Sequence, residues 1–409
     1  MTTAAPTTAA STMPHVMGVY GRTPVAFERG EGVWLYSTDG EAYLDCVAGI
    51  ATNGLGHCNP VLIEALTAQA HKLWHISNIY QIPEQEALAK RLTDNSFADV
   101  VFFTNSGAEA VECALKTARK YHAANGSPER VDIIGFDGSF HGRTYATINA
   151  AGSESYLEGF GPRLPGYVRG VFGDWDHLKT LIGPTTAAVL IEPVQGEGGA
   201  RAISPSDLEL LRTLCDEAGI LLIFDEIQCG MGRTGKLFAY EWAANAAPDI
   251  MCIAKALGGG FPIGACLATT EAAKGMTVGT HGSTFGGNPL AMAVGAAAFD
   301  ELVKPELLDN VNAVSGYLRQ QFEGLKDRYS DIILEVRGKG LLIGLKVGPN
   351  NRDFMVTARD NKLLIAGGAD NCVRLLPPLN MTIEEAQKVV ELLEITCKAA
   401  QSQLAVADA

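Results

Sequence analysis

Short apolar runs separated by amphipathic stretches dominate the middle of the chain. Two of these stretches, 107–123 and 205–218, have the spacing of helices that bury one face. Because strands that alternate with helices form a mainly parallel sheet covered on both faces, this region predicts an α/β architecture. The predicted strands are VVFF (100–103), DIIGF (132–136), AAVLIEP (187–193), LLIFDE (221–226), DIMCIA (249–254) and GACLAT (264–269).

Both ends of the chain carry different patterns. Residues 33–45 alternate apolar and polar positions on both sides of an Asp-Gly pair, which predicts a β-hairpin. Towards the other end, strands are predicted at 335–347 and 373–379. A final amphipathic helix is predicted over 382–400, with Thr382 as its N-cap. These elements indicate a smaller α+β region built from the two chain ends.

The changes of pattern predict a division into domains. An Ala-rich stretch, NPLAMAVGAAAF, predicts a buried helix close to the end of the α/β region. We therefore predict an α/β fold, with a large domain around a mainly parallel mixed sheet and a smaller α+β domain. The predicted parts are a flexible tail over 1–13, an N-terminal segment over 14–55 that joins the small domain, the large domain over 56–295 and the C-terminal small domain over 296–409.

Composition narrows the classes of protein that suit this pattern. The chain has 409 residues, of which 47% are hydrophobic and 19% charged, enough to bury a substantial core. Its formal net charge is −14 and it contains no block of basic residues, so we expect neither nucleic acid nor a membrane as a partner. The longest uncharged stretch contains His, Asn and Pro, so it does not predict a membrane span.

Cysteine usage and the N-terminal residues bear on location. The nine cysteines are dispersed without CxxC spacing, which indicates reduced thiols and a cytoplasmic protein. Residues 1–13 have neither the charge nor the apolar core of a signal peptide, so we interpret them as a loose tail.

One segment resembles two phosphate-binding motifs but lacks what either needs. GMGRTGK (230–236) matches the dinucleotide-binding GxGxxG pattern and nearly completes a P-loop. A P-loop has Ser or Thr after its lysine to bind magnesium, whereas Leu237 follows here. Asp225 and Glu226 precede the segment and would repel a pyrophosphate. We therefore do not interpret it as a nucleotide site.

A pair of histidines raises the question of a metal. His71 and His75 are spaced to share one face of a helix, but Lys72 stands where a zinc protease has its glutamate, and no third ligand is near. We predict solvated or packed histidines and no metal site.

Two segments that follow predicted strands carry groups suited to binding. In TNSGAEA, Ser106 and Gly107 form a small-residue turn at a helix N-terminus, whose free amides and dipole favour a phosphate. In GSFHGRT, Phe140 lies close to Arg143. Taken alone, each segment also suits a structural role, as a helix cap or as a core phenylalanine beside a surface arginine.

Charged residues end two further strands. Asp225 follows a run of apolar residues, where a carboxylate is costly without a cationic partner, and strand alternation turns Asp225 and Ile227 to the same face. Lys255 ends the next predicted strand. Under a structural interpretation, Asp225 forms an ion pair and the side chain of Lys255 extends to water. Under a chemical interpretation, the acid and the amine both serve one reactive site.

The predicted sheet brings these four segments together. The carboxyl ends of parallel strands meet at one edge of the sheet, and ligands bind there. Phosphate-binding amides, an aromatic ring, a buried acid and a lysine would converge at that edge. Pyridoxal phosphate needs such groups: a lysine to form a Schiff base, an acid to keep the pyridine nitrogen protonated, and amides for the phosphate.

Six motifs, in order, resemble those of one known family. The motifs are NSGAEA, FHGRT, EPVQGEGG (192–199), DEIQCGMGRTG (225–235), AKALGGGFPIG (254–264) and HGSTFGGNP (281–289). Through them the chain is similar over nearly its whole length to the class III aminotransferases, which have the PLP-dependent transferase fold of type I. Within that family the likeness is strongest to members that act on N-acetylornithine.

The resemblance implies roles at the cofactor. Lys255 would form the Schiff base and Asp225 would pair with the pyridinium, as the two catalytic residues. Thr284 would reach the phosphate bound by a neighbouring subunit, which implies a homodimer with active sites at the subunit interface. The other cofactor-binding residues would be Phe140 and Ile227 on the two ring faces, Gln228 near the phenolic oxygen, and Ser106, Gly107 and Ala108 at the phosphate.

The resemblance also implies residues for two unlike substrates. Arg374 would bind the α-carboxylate of glutamate, and Glu197 would pair with Arg374 when that carboxylate is absent. Arg143 would bind the side-chain carboxylate of glutamate or the α-carboxylate of acetylornithine. Tyr20 and Ser283 would complete the substrate-binding set, although Tyr20 equally suits a packing role.

The implied reaction is a two-stage amino transfer. An amine substrate is converted to an aldehyde, and 2-oxoglutarate is then converted to glutamate, with Lys255 as general base and acid. Acetylornithine as the donor would place the enzyme in arginine biosynthesis. Ornithine, succinylornithine, N-succinyl-diaminopimelate and 4-aminobutyrate are alternative donors, and an aminomutase is an alternative of the same fold. A catalytically inactive cofactor-binding protein and a nucleotide-binding protein are the alternatives from other classes.

Overall fold

The computed structural model describes residues 15–407, and the predicted tail over 1–13 lies outside them. No helix in this part of the chain is long and apolar enough to cross a membrane. The strands are β1 Phe27–Glu31, β2 Trp34–Ser37, β3 Ala42–Asp45, β4 Val100–Thr104, β5 Asp132–Phe136, β6 Tyr167–Gly170, β7 Thr186–Ile191, β8 Val194–Gln195, β9 Arg201–Ala202, β10 Leu221–Asp225, β11 Ile250–Ile253, β12 Gly264–Ala268, β13 Ile333–Lys339, β14 Leu342–Val347, β15 Leu363–Leu364, β16 Ala366–Gly368 and β17 Cys372–Leu375. The α-helices are α1 Ala48–Ala51, α2 Pro60–Ala70, α3 Pro83–Asp94, α4 Gly107–Ala124, α5 Tyr145–Ala151, α6 Glu154–Leu157, α7 Trp175–Leu181, α8 Pro205–Ala218, α9 Pro289–Leu302, α10 Pro305–Arg328, α11 Asn351–Asp360 and α12 Ile383–Ala407.

The central sheet contains all the strands predicted in the middle of the chain. Within residues 15–407 it has seven strands, in the order β4-β12-β11-β10-β7-β5-β6. Strands β11, β10, β7, β5 and β6 pair in parallel, whereas β12 runs antiparallel to both β11 and β4. The mainly parallel mixed sheet is therefore confirmed. Of the seven strands, only β6 was not predicted from the sequence; it is an edge strand with the short and mixed sequence YVRG.

Helices cover both faces of this sheet, as predicted. Along β7, Ala188 and Leu190 pack into a cluster with residues of α4, whereas Val189 and Ile191 pack into a second cluster with residues of α8. This alternation follows from side chains that point to opposite faces along a strand. It explains why the central strands are apolar at every position rather than at every second one.

The two chain ends meet in smaller sheets. The predicted hairpin is confirmed as β2 and β3, and β3 pairs in parallel with β15 through Leu44 and Leu363. Strands β13, β14, β17 and β16 form a separate antiparallel sheet. The N-cap predicted for α12 is also present, because the Thr382 hydroxyl accepts the backbone N–H of Glu385 at 3.2 Å.

The largest hydrophobic core crosses the predicted end of the large domain. Ala291 and Met292 of α9 share it with Val311 and Leu318 of α10. The predicted buried Ala-rich helix is confirmed as α9. The boundaries at 55 and 295 stay a prediction, because burial is continuous across the second of them.

An unusual turn follows β3. Ala48, Ile50 and Ala51 have φ of +46°, +60° and +64°, in the left-handed region that a β-branched residue rarely adopts. The Asp45 carboxylate anchors the start of the turn by accepting the backbone N–H of Ala48 at 3.0 Å. The turn delivers Thr52 to the wall of the cavity described next.

Candidate active site

A cavity of about 460 Å³ lies where the parallel strands of the central sheet end. Its wall is built from segments that follow β4, β5, β7, β10 and β11, and β12 begins at the same edge because it runs the opposite way. Ligands bind at this edge in open α/β sheets. The lining includes ten of the residues that the sequence analysis singled out: Ser106, Gly107, Ala108, Phe140, Arg143, Glu197, Asp225, Ile227, Gln228 and Lys255.

Lys255 lies just beyond the end of β11, in a strained backbone conformation. It begins a short 3₁₀-helix, Lys255–Leu257, with φ of +48°, which is uncommon for a residue other than glycine. Its amine has no hydrogen-bond partner within residues 15–407. Burial, followed by the positive charge of Arg374, lowers the pKa of the Lys255 amine from the ordinary 10.5 to about 8. A substantial fraction is therefore neutral, and so nucleophilic, at mildly alkaline pH.

The carboxylate of Asp225 is held from two sides. Its Oδ2 accepts a hydrogen bond from His141 Nδ1 at 2.7 Å, and its Oδ1 accepts the backbone N–H of Ile227 at 3.1 Å. Both Asp225 and His141 are buried. Since Nδ1 must carry the proton in this bond, His141 fixes the carboxylate as an acceptor that can face a cationic ring nitrogen.

The neighbouring acid in the sequence serves a different purpose. Glu226 points away from the cavity, and its carboxylate accepts the backbone N–H groups of Ala239 at 2.6 Å and Tyr240 at 3.0 Å. Burial raises the pKa of Glu226 to about 8, although these two hydrogen bonds oppose the effect. Of the two adjacent carboxylates, only Asp225 lines the cavity.

The N-terminus of α4 offers amides to an anion. Ser106 caps the helix by accepting the backbone N–H of Glu109 at 3.3 Å, which leaves the N–H groups of Gly107 and Ala108 directed out of the helix end. Ile227 packs over this turn so closely that a side chain at Gly107 would lie 2.8 Å from Ile227 Cδ1. A side chain at position 107 would therefore push the Ile227 side chain away from its place in the cavity wall.

Aromatic rings hold the guanidinium of Arg143. Its Cζ lies 3.9 Å from the centroid of the Tyr156 ring and 5.5 Å from that of Phe140. The two rings meet edge to face with their centroids 5.9 Å apart. Arg143 is exposed and forms no ion pair with any carboxylate within residues 15–407.

The guanidinium of Arg374 is held by polar groups instead. Its Nη2 donates to Glu197 Oε1 at 2.6 Å, and its Nη1 donates to Gln228 Oε1 at 3.0 Å. The Gly367 carbonyl accepts from both Nε, at 2.9 Å, and Nη2, at 2.6 Å. Arg374 is only 2% exposed, whereas the Glu197 side chain is 32% exposed. Glu197 is thus the partner with room to move.

Four predicted residues do not line the cavity. One is Arg374, which bonds to the lining residues Glu197 and Gln228. The other three are Ser283, Thr284 and Tyr20. Ser283 and Thr284 line a second, adjacent cavity, and Asn105 lines both and donates to Ser283 Oγ at 3.3 Å. Tyr20 is 73% exposed and contacts Arg22 rather than the cavity wall. In the single chain, therefore, these three residues are not brought to Lys255.

Comparison with known proteins identifies the family. A model of the family described as "Aminotransferase class-III" matches residues 17–396. The chain belongs to the class III aminotransferases. It is therefore an enzyme of the PLP-dependent aminotransferase class, and the fold predicted from the resemblance is confirmed.

Individual relatives cover nearly the whole of this aminotransferase. It is 70% identical to a protein of Caulobacter vibrioides named acetylornithine aminotransferase 2, over 98% of this chain and 99% of the relative. Among solved structures, N-acetylornithine aminotransferase from Stenotrophomonas maltophilia is 37% identical, with a TM-score of 0.82 over 93% and 98% of the two chains. Ornithine aminotransferase from Toxoplasma gondii is 31% identical, with a TM-score of 0.92 over 95% and 94%.

The residues of the cavity suit pyridoxal phosphate. A helix N-terminus with free amides, a buried carboxylate and a lysine with a lowered pKa lie around one space, as the chemistry of that cofactor requires. The orphaned Nε2 of His141, which has no partner in the described part of the chain, lies on the far side of the imidazole from Asp225. These groups would hold the ring nitrogen, the phosphate and the aldehyde carbon.

Several residues in or beside the cavity of this aminotransferase were not singled out from the sequence. Glu192 lines the cavity and accepts the backbone N–H of Phe140 at 3.0 Å, and burial together with the nearby Asp225 raises the pKa of Glu192 well above its ordinary value. Glu192 and His141 lie within motifs already noted, and this position was the signal that could have identified them. Thr52, Asn105 and Tyr156 gave no comparable signal, because only tertiary contacts bring them to the cavity or, for Tyr156, to Arg143.

The two misleading segments do not form binding sites. Residues 230–235 are buried in the core, and the Arg233 guanidinium donates to the carbonyls of Leu341 and Pro377, so the segment offers no open loop to a phosphate. His71 and His75 do not share a helix, because α2 ends at Ala70.

Proposed function

We propose that this aminotransferase transfers the terminal amino group of N2-acetyl-L-ornithine to 2-oxoglutarate, giving N-acetylglutamate 5-semialdehyde and glutamate. The observation that carries the proposal is a cavity lined by the lysine Lys255 and the arginine Arg143, with a second and dissimilar arginine, Arg374, bonded to two lining residues. The names of the 70% identical relative and of the 37% identical structure support acetylornithine as the donor.

The two arginines suit substrates with one and two carboxylates. Glutamate and 2-oxoglutarate have two, and would engage Arg143 and Arg374 together after displacing Glu197. Acetylornithine has one, and would engage Arg143 while Glu197 stays on Arg374. Leaving Arg374 paired avoids an uncompensated buried charge, which typically costs about 3–5 kcal/mol.

Lys255 and Asp225 would serve the chemistry. The bound cofactor supplies an electron sink for the carbon that carries the amine. Lys255 takes the proton from that carbon and returns one, as general base and then general acid, and its lowered pKa suits both roles near neutral pH. Asp225, oriented by His141, keeps the ring nitrogen protonated.

The remaining residues would orient the ring and the phosphate. Phe140 and Ile227 would cover the two faces, and the amides of Gly107 and Ala108 with the Ser106 hydroxyl would bind the phosphate. Gln228 accepts from Arg374 through its oxygen, so its NH₂ group is left to donate to the phenolic oxygen.

The test combines a donor panel with a variant. We expect glutamate formation from 2-oxoglutarate to be fastest with acetylornithine among acetylornithine, succinylornithine, N-succinyl-diaminopimelate, ornithine and 4-aminobutyrate. Lys255→Ala should lose turnover and the visible absorbance of the covalently bound cofactor. A different preferred donor would refute the substrate, and a variant that kept both properties would refute the role of Lys255.

We also propose that two copies of the chain form a homodimer with shared sites. Large apolar side chains are exposed in two segments that contact each other. Phe285 lines the second cavity, and Trp74, Ile79 and Tyr80 lie close in sequence to His75 and Asn78, which contact the same loop; all four apolar side chains are 60% or more exposed. Exposed apolar side chains grouped in this way are typical of a protein interface, and a second copy would bring Thr284 to the phosphate of its partner.

Sedimentation velocity tests the homodimer. We expect a dimer for the native chain, and Ile79→Arg should yield monomers that bind pyridoxal phosphate weakly. A monomeric native enzyme, or monomers with undiminished cofactor affinity, would contradict the shared site. We further propose a cytoplasmic location, supported by nine cysteines that form no disulfide; recovery from another compartment on cell fractionation would contradict it.

A further inference from the structure

Arg143 lacks the kind of partner that Arg374 has. Within residues 15–407 no carboxylate pairs with it, and its guanidinium instead lies 3.9 Å from the centre of the Tyr156 ring. Stacking of this kind engages the face of the guanidinium. The N–H groups lie in the plane of the fork, so they remain free for a carboxylate.

Tyr156 is itself fixed in place. It lies on α6, the short helix between α5 and β6, and its backbone N–H donates to the carbonyl of Ser153 at 3.0 Å. Its ring meets Phe140 edge to face, and Phe140 is anchored through its backbone to Glu192. The ring that covers Arg143 is thus connected to the wall of the cofactor cavity.

The charges around Tyr156 are those of the substrate site. Burial raises the pKa of the Tyr156 phenol, and the charged groups that act on it are Arg143, Glu197, Glu192 and Arg374. The phenol therefore stays neutral through the physiological range, and Tyr156 adds no competing anion to Arg143. Its ring is available as an uncharged surface for the guanidinium.

We propose that Tyr156 is a positioning residue that presents the edge of the Arg143 fork to a substrate carboxylate while leaving its charge unpaired. This inference rests on the proposed role of Arg143 in substrate binding. Arg143 and Arg374 then differ in how a substrate carboxylate reaches them. At Arg143 the carboxylate displaces no protein group, whereas at Arg374 it must displace Glu197. Both substrates therefore engage Arg143 first.

The test uses Tyr156→Ala and Tyr156→Phe in the cofactor-loaded enzyme. We expect Tyr156→Ala to raise KM for both acetylornithine and 2-oxoglutarate about tenfold with kcat within about twofold, as expected from loss of a cation–π contact. Tyr156→Phe should restore both KM values, because it keeps the ring. Phe160→Ala, which removes an exposed aromatic side chain from the same segment, is the matched control.

Two readouts separate positioning from a general structural role. Pentylamine has no carboxylate, so its slow reaction with the bound cofactor should proceed equally in the native enzyme and in Tyr156→Ala. In an Arg143→Ala background, Tyr156→Ala should add no further change in KM. Unchanged KM in Tyr156→Ala, an equal loss with pentylamine, or additive effects in the double variant would each overturn the inference.

Direct binding of glutarate keeps this test independent of the proposed substrate. Calorimetry should give about tenfold weaker binding of this dicarboxylate to Tyr156→Ala, and native affinity for Tyr156→Phe. If the native enzyme did not turn over acetylornithine, the proposed function would fail while glutarate binding still decided the role of Tyr156. Equal glutarate affinity in all three proteins would overturn that role.

Discussion

The two arginines beside the cavity are held in opposite ways. Arg374 is buried, with its fork occupied by Glu197, Gln228 and the carbonyl of Gly367. Arg143 is exposed, with aromatic rings against its face. A buried guanidinium needs a polar or charged partner at all times, because burying an unpaired charge is costly. The charge of an exposed guanidinium is solvated by water, so it needs no protein carboxylate before substrate binds.

With the roles proposed for the two arginines, this difference would allow one pocket to accept two unlike substrates. A site with two open arginines would leave a buried cation unpaired when a monocarboxylate binds. A site with two occupied arginines would require every substrate to displace a protein carboxylate. One arginine of each kind avoids both problems, and the exchangeable group is Glu197, the more exposed member of its ion pair.

We expect the largest changes in activity when either arginine is removed. We expect Arg374→Ala to lower kcat/KM of the glutamate half-reaction on the order of 100-fold or more, because it removes one partner of a buried charge pair. The acetylornithine half-reaction should lose far less. Arg143→Ala should impair both half-reactions to a similar extent. Single-turnover measurements of each half-reaction provide the check, and equal losses in Arg374→Ala would refute this division of roles.

Removing the charge of Glu197 should have a smaller effect of the opposite sign. In Glu197→Gln, the guanidinium of Arg374 keeps its bonds to Gly367 and Gln228, so it stays in place without an anion to displace. We expect KM for 2-oxoglutarate to fall about threefold to tenfold, with discrimination against donors that carry an α-carboxylate beside the amine also reduced. A rise in KM would mean that Glu197 positions Arg374 rather than competing for it.

The smallest expected effect is on the pH dependence of cofactor capture by Lys255. Because the pKa of Lys255 is lowered to about 8, the apoenzyme should capture added pyridoxal phosphate faster as pH rises through about 8, and at a constant rate above that. Arg374 is among the causes of the lowering, so Arg374→Ala should allow the ammonium to persist to higher pH and move the midpoint up by less than about one unit.

Arg143 provides the control for this experiment, since the largest effects on the pKa of Lys255 come from burial and from Arg374, Glu197, Asp225 and Glu192 instead. Stopped-flow absorbance of Arg143→Ala should give the native midpoint. A native midpoint near 10, or equal midpoints in the native enzyme and Arg374→Ala, would contradict the assignment.

Much of the site was predictable because it depends on strand ends. Asp225 and Lys255 follow apolar strands, and the meeting of parallel strands at one edge brings them together without further information. Tyr156 could not be predicted in this way. It lies on a single turn of helix, and its contact with Arg143 depends on how α6 folds back over the cavity.

Other differences have similar causes. The partner of Asp225 is the imidazole of His141, which donates a hydrogen bond to the carboxylate and comes from a distant segment of the chain. Tyr20 and Thr284 were assigned by resemblance, and their contacts in a single chain do not reach Lys255. The proposed homodimer would supply the contact that Thr284 lacks in a single chain, and the assignment of Tyr20 stays a prediction.

The adjacent acids at the end of β10 constrain how the gene can change. Asp225 faces the cavity and Glu226 anchors the backbone of Ala239 and Tyr240 behind it. Loss or gain of one codon within β10 would turn each acid to the other side of the sheet. Asp225 would then leave the cavity, and Glu226 would leave the backbone N–H groups that it binds. Single substitutions within β10 can therefore accumulate one at a time, whereas we expect selection to remove insertions and deletions in this strand.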